Sequence, residues 1–212
     1  MSFEVQIVLV QIAVLVFAVS CHESAHGWVA WKCGDPTAKE LGRISLNPIR
    51  HIDPLGSVIL PALLAFSGAP VFGWAKPVPV ALDRTRDPRT ANLLISAAGP
   101  LSNLALAGAA ALLIVFLRPT GAPGEADPGL FFQLAFFTVV VNLVLAIFNF
   151  LPLPPLDGFG VLRSLAPNSL QPALSWVARY GMVVLLVLLL SGSLSTILGP
   201  PLIAVQRWML GL

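Results

Sequence analysis

An all-α polytopic membrane protein is the fold class this sequence predicts, and three observations carry that reading. Of 212 residues, 57% are hydrophobic and only 10% charged, whereas an ordinary soluble domain carries charge on roughly a quarter of its residues. Four apolar runs, Val5 to Trp31, Ala91 to Leu117, Phe131 to Leu151 and Ala173 to Leu190, are each long enough to cross a hydrocarbon core as helix. Eight of the twelve basic residues fall in two short connections, the kind of asymmetry that orients spanning helices. The expected organisation is a single integral-membrane domain over residues 1–212, with its core at about 5–163 and C-terminal helices over 173–212. It should hold about five to six apolar segments at roughly 20 residues each. A net charge of +2, without any block of like charges, argues against nucleic-acid binding. Cys21 and Cys33 are too few for a disulfide framework and are expected to be reduced.

The first run, Val5 to Trp31, lacks a basic n-region and a small-residue cleavage site, so it reads as a retained helix. The next connection carries Lys32, Lys39, Arg43 and Arg50, and the stretch from Lys76 to Thr90 carries Lys76, Arg84, Arg86 and Arg89. The charge rule puts both on the cytoplasmic side. The apolar run between them, Leu55 to Trp74, is broken by Pro61, Gly68 and Pro70. It must therefore enter and leave by one face, as a re-entrant hairpin turning near Gly68, Ala69 and Pro70. Beyond it, Trp74-Ala75-Lys76-Pro77-Val78-Pro79-Val80 reads as a short β-strand near the cytoplasmic face. Prolines at alternating positions strip the N–H groups from one edge only. The edge bearing Lys76, Val78 and Val80 is left for an extended partner, unless the segment is a plain Pro-rich connector.

Ala91 to Leu117 then leads outward to a loop with Arg118 set against Glu125 and Asp127, and Phe131 to Leu151 returns inward. Prolines 152, 154 and 155 stop that helix just before Asp157, and the carbonyls they free need a cavity or protein partners. Arg163 and Arg179 flank the second return to the cytoplasmic side, from which Ala173 to Leu190 leads out again. Leu194 to Leu212 contains Pro200 and Pro201 and is not a simple span.

His22-Glu23-Ser24-Ala25-His26, near the cytoplasmic end of the first helix, is an H-E-x-x-H motif. Positions i and i+4 share a helix face, so both imidazoles can reach one Zn²⁺ while Glu23 stands beside it as a general base. With three histidines and four glutamates in the chain, a chance match is on the order of one in a thousand, and ionisable groups in an apolar span are functional by default. A catalytic zinc needs a third protein ligand and an open fourth position. Glu4, His51, Asp53 and Asp157 are the candidates. The charge rule with a re-entrant hairpin puts Asp157 on the same side as the histidines; a full span in place of the hairpin would separate them.

These residues resemble the site-2 protease family, peptidase family M50, of intramembrane zinc metalloproteases. The resemblance lies in the H-E-x-x-H motif, in Ala98-Gly99-Pro100-Leu101-Ser102-Asn103, and in Asn149 through Pro155-Leu156-Asp157-Gly158. Leu41 to Pro48, His51 to Pro54 and Gly73 to Val80 look like its compact bacterial branch, which has no PDZ or CBS domain. The resemblance implies a three-helix core in which His22, His26 and Asp157 hold one Zn²⁺ per chain and Glu23 is the catalytic acid/base. It further implies lipid bilayer and transmembrane protein substrates as partners, with a homodimer among the assemblies allowed. The expected setting is a bacterial inner membrane with the active site towards the cytoplasm, and the expected task is regulated intramembrane proteolysis. Asn103 and Asn149 are then expected to orient substrate or the oxyanion. His51 reads either as an extra electrophile or as an interfacial side chain, and Lys76 and Val78, on the open edge, are candidates to clamp an unwound substrate segment. The rival reading is a metal-binding or metal-transport protein using the same ligands. It calls for outward-facing polar ligands and inverted repeats, and the sequence has neither.

Overall fold

The computed structural model describes residues 3–67, 73–117 and 129–210. The expected hairpin turn near Gly68 to Pro70 lies outside them. The described elements are α1 (Phe3–Lys32), the single turn α2 (Thr37–Glu40), α3 (Leu60–Ser67), α4 (Pro88–Leu117), α5 (Gly129–Asn149), α6 (Asp157–Leu165), α7 (Gln171–Leu190) and α8 (Ser193–Leu210), with short turns between them. Four helices among the described residues are long and apolar enough to cross a membrane: Val5–Lys32, Pro88–Phe116, Gly129–Asn149 and Asn168–Leu190. This is an integral membrane protein.

Helices α1, α4 and α5 pack against one another, and α6 lies against α4. Bilayer lipid is as apolar as leucine, so helices here associate by close backbone approach and polar contacts. The buried positions fit that demand: Ala18 on α1, Ala107 and Ala110 on α4, and Ala135 and Ala146 on α5. Ile114, Val139 and Leu143 fill the rest of the α4–α5 seam. Large side chains such as Leu112, Phe116 and Val183 point outward, where hydrocarbon receives them.

Both ends of the run from Leu55 to Trp74 lie together. Trp74 N–H donates to the carbonyl of Gly56 (3.1 Å) and Ser57 Oγ to the carbonyl of Trp74 (2.8 Å). The short β-strands expected near the cytoplasmic face are a correction: no strand occurs among the described residues. The segment Gly73–Ala81 is a strap without a ladder. Pro77 and Pro79 bring no N–H to one edge. On the other, Lys76 N–H goes to the carbonyl of His51 (2.8 Å) and Val78 N–H to Glu23 Oε2 (3.2 Å), so two separate elements divide what a neighbouring strand would need.

Candidate metal centre

The residues of H-E-x-x-H lie on the C-terminal half of α1, with His22 and His26 buried. Each ring is fixed through Nδ1. His22 Nδ1 is 2.6 Å from Asn103 Oδ1, and His26 Nδ1 is 2.7 Å from the carbonyl oxygen of Ile95. Both partners only accept, so both imidazoles donate from Nδ1 and turn the lone pair of Nε2 inward. There the two Nε2 atoms are 3.0 Å apart. Asp157 Oδ2 lies 3.1 Å from that of His22 and 3.4 Å from that of His26. The contacts are close, yet Asp157 Oδ2 is buried and receives no hydrogen bond, as expected when the facing nitrogens carry lone pairs. With both imidazoles neutral, three electron-pair donors converge on one point, an arrangement that a cation stabilises. Two histidines and a carboxylate are a donor set suited to zinc. No other group of three such side chains is found among the described residues.

Several features position this cluster. Gly99 brings the backbone of α4 against the rings: a methyl there would fall on His26 Nε2 and 2.6 Å from His22 Nε2. Asn103 is fully buried; its Nδ2 donates to Asn142 Oδ1 (2.8 Å) and Asn142 Nδ2 to the carbonyl of Thr138 (2.9 Å), which ties α1, α4 and α5 together behind His22. Asp157 opens α6, and α6 is held to α4 by Asn92, whose Nδ2 donates to Gly160 O (3.0 Å) and Ser164 Oγ (2.7 Å). Arg89 adds donations to the carbonyls of Ser164 and Ala166, each at 2.7 Å.

A cavity of about 530 Å³ opens onto the cluster. Its walls include Val19, Ile95, Leu145, Phe148, Met182 and Leu185 from four helices, together with Trp74 and Val78 of the strap. Of the residues singled out from the sequence, His22, Glu23, His26, Asp157, Asn149 and Val78 line it, while Asn103, His51 and Lys76 do not. Asn103 faces His22 Nδ1, behind the ring. His51 is buried with Nε2 on the carbonyl of Ser45 (2.7 Å). Asn149 Nδ2 is engaged by the carbonyl of Leu145 (2.9 Å), leaving its oxygen for the cavity.

Sequence reasoning missed Asn92, Ser24 and Asp35. Ser24 Oγ donates to Ser45 O (2.5 Å) and accepts from Ser45 N (3.1 Å). Fully buried Asp35 accepts from Ala81 N (2.7 Å), Thr37 N (3.0 Å) and Thr37 Oγ1 (2.5 Å), anchoring the far end of the strap. Burial pushes the Asp35 carboxyl up, but these donors and the Arg84 charge outweigh it and hold it below the usual carboxylate range. Apart from Thr37, two residues on from Asp35, these partners are distant in sequence and meet only in the fold.

A sequence model of Peptidase family M50 matches residues 121–191, the stretch that contains Asp157. “Putative zinc metalloprotease YwhC” of Bacillus subtilis (strain 168) is 41% identical over 192 residues, covering 89% of this chain and 83% of that protein. Two proteins named in the same form, both Rip2, are also similar. That of Mycolicibacterium smegmatis is 30% identical, covering 90% of this chain and 70% of its own length. That of Mycobacterium tuberculosis (strain H37Rv) is 32% identical, covering 87% and 68%. No solved structure matches the chain.

Proposed function

This chain belongs to peptidase family M50 and is an intramembrane zinc metalloprotease; from that premise we propose that His22, His26 and Asp157 hold one Zn²⁺ per chain and that Glu23 is the catalytic acid/base. The observation that carries this assignment is the convergence of three potential ligand atoms at 3.0, 3.1 and 3.4 Å in a cluster facing the cavity. When bound, zinc supplies polarisation of the scissile carbonyl and acidification of water. The chain's own residues do the rest. Glu23 Oε2 is held by Val78 N–H, which leaves Oε1 to take a proton from the attacking water and pass it to the leaving amine. The apolar wall admits hydrophobic side chains of a substrate segment and excludes bulk water, and the Asn149 amide is the polar group within it that can meet a substrate backbone.

Orientation follows from where the charges gather. Arg84 reaches Thr37, Arg43 reaches Lys76 and Arg89 reaches Ala166, so the connections rich in basic residues share the end of the bundle at which α1 terminates. By the charge rule that end is cytoplasmic, which puts the active site towards the cytoplasm of a bacterial inner membrane and makes Leu55 to Trp74 a re-entrant hairpin. We read residues 1–212 as one domain acting on transmembrane proteins.

The test is cleavage, in liposomes, of a panel of single-span fusion reporters by wild type and by Glu23→Gln, with zinc measured in both. Equal zinc and a loss on the order of 10²–10⁴-fold in kcat are expected. Glu23→Gln cleaving as fast as wild type, or zinc-loaded wild type cutting no reporter, would overturn the assignment.

A further inference from the structure

Arg43 and His51 are buried polar residues that the chemistry above does not use. They expose 6% and 3% of their surfaces, and neither lines the cavity. Both act on the same short piece of the strap. Arg43 Nη2 donates to the carbonyls of Lys76 (2.5 Å) and Pro77 (3.4 Å), and the carbonyl of His51 accepts from Lys76 N–H (2.8 Å). His51 is itself fastened to α1: its Nε2 donates to Ser45 O, and Ser45 is bonded through both backbone groups to Ser24, the neighbour of Glu23. A closed circuit results, from Glu23 through Ser24, Ser45 and His51 to Lys76, and from there through Val78 N–H back to the Glu23 carboxylate, with Arg43 holding the carbonyls of Lys76 and Pro77 from beside it. A guanidinium is costly to bury. Among the described residues the partners of Arg43 are these carbonyls, with Nε left over, so its burial is explained by what it fixes. The strap needs such fixing because Pro77 and Pro79 remove two of the N–H groups by which a neighbour would hold it.

We propose that Arg43 and His51 are positioning residues for proteolysis, clamping Lys76–Pro77 so that Val78 N–H sets the Glu23 carboxylate at the metal. The clamp rests on the reading of Glu23 as acid/base given above. Removing it leaves the strap tied at Trp74 by Gly56 and Ser57 and at Ala81 by Asp35, with the middle free to drift. A shift of about 1 Å in a catalytic group can cost on the order of 10²-fold in rate.

The variants are Arg43→Met and His51→Leu, which remove side-chain donors at similar size, and His51→Gln, which restores a donor near the position of Nε2. Each is reconstituted beside wild type and Glu23→Gln with the best-cut reporter of the panel. Measurements are kcat, KM, zinc content and hydrogen exchange of the peptide covering residues 74–81. Arg43→Met and His51→Leu should lower kcat by about ten- to a hundredfold with KM and zinc held near wild type, and should speed exchange of the strap. His51→Gln should recover most of both. Should Arg43→Met yield no folded protein, Arg43→Lys takes its place; its ammonium ends one bond short of the position from which Nη2 reaches both carbonyls, and the same kcat loss is expected. Wild-type kcat and strap exchange in the folded variants would overturn the clamp, as would kcat losses that merely follow zinc loss, or His51→Gln behaving like His51→Leu. An active Glu23→Gln would instead overturn the role of Glu23, while the exchange data would still decide the clamp.

Discussion

Gly99→Ala tests the geometry of the metal site with the smallest available change. The added methyl would meet His22 Nε2 and Cε1 at 2.6 Å and crowd His26 Nε2. Ordinary contact of a Cβ begins at 3.4 Å, so the rings or the α4 backbone must retreat by about 1 Å from the nearest atom, His26 Nε2, the displacement that costs on the order of 10²-fold in rate. Neither ring can turn freely, because Asn103 and Ile95 hold the two Nδ1 atoms, and the backbone here also carries fully buried Pro100. The expected result is a hundredfold or greater fall in kcat/KM, about 2.7 kcal/mol of transition-state stabilisation, together with weaker zinc retention against a chelator. Gly108→Ala is the control on the same helix. A methyl there meets nothing within 4 Å, so the helix-propensity gain of up to about 1 kcal/mol is all that should appear. Zinc retention and cleavage by Gly99→Ala within a few-fold of Gly108→Ala would refute the placement of α4 against the histidines.

Asn103→Leu keeps the volume of a buried side chain but removes the acceptor of His22 Nδ1 and the donor to Asn142. Loss of an outer partner typically weakens metal affinity by about 10–100-fold, read by chelator competition; affinity within twofold of wild type would detach Asn103 from the metal. Asp35 titrates below the usual carboxylate range, where donors from Thr37 and Ala81 outweigh the effect of burial. With the folded value depressed, its contribution is complete above about pH 4, the unfolded value, and drains away as pH falls through the folded one. Asp35→Asn should therefore cost about 1–3 kcal/mol at neutral pH, and the gap to wild type in thermal stability should close on acidification; a gap unchanged down to about pH 3 would refute this.

Legibility in the sequence differed by kind of interaction. The four long helices were readable because a bilayer leaves a spanning chain few alternatives, and the H-E-x-x-H histidines because i and i+4 share a face whatever surrounds the helix. The convergence on Asp157 was readable only through topology: charge placement put it on the histidines' side before any contact was known. For Asn103 the resemblance points to the site, while the sequence gives spacing along a helix but not the rotation that turns its amide to His22. A signal was nevertheless present. Gly99 and Asn103 are four residues apart and share a face, so a glycine that admits the rings also places the amide beside them. The strap misled for a different reason. Alternating prolines describe its edges correctly, but whether an edge is open depends on His51 and Glu23, which are distant in sequence and meet it only in the fold.

The electrostatics of the site tie folding to function. In the apolar bundle each polar group must find a partner inside the protein, and the amides largely obey: Asn103 and Asn142 bond to each other and to their surroundings, and Asn149 bonds through its Nδ2. His22, His26 and Asp157 obey on their outer sides only, since Asn103, Ile95 and the α4–α6 contacts fix the rings and the helix that carries the carboxylate. Every one of those outer bonds aims an electron pair at the same point. A cluster evolved for packing alone would reverse at least one of them, letting an imidazole donate to Asp157 Oδ2 instead of leaving it without a hydrogen bond. Here the outer contacts go to Nδ1 of both rings, so on the proposed zinc assignment a divalent cation would join groups from three helices at once, and metal affinity and bundle stability should rise and fall together.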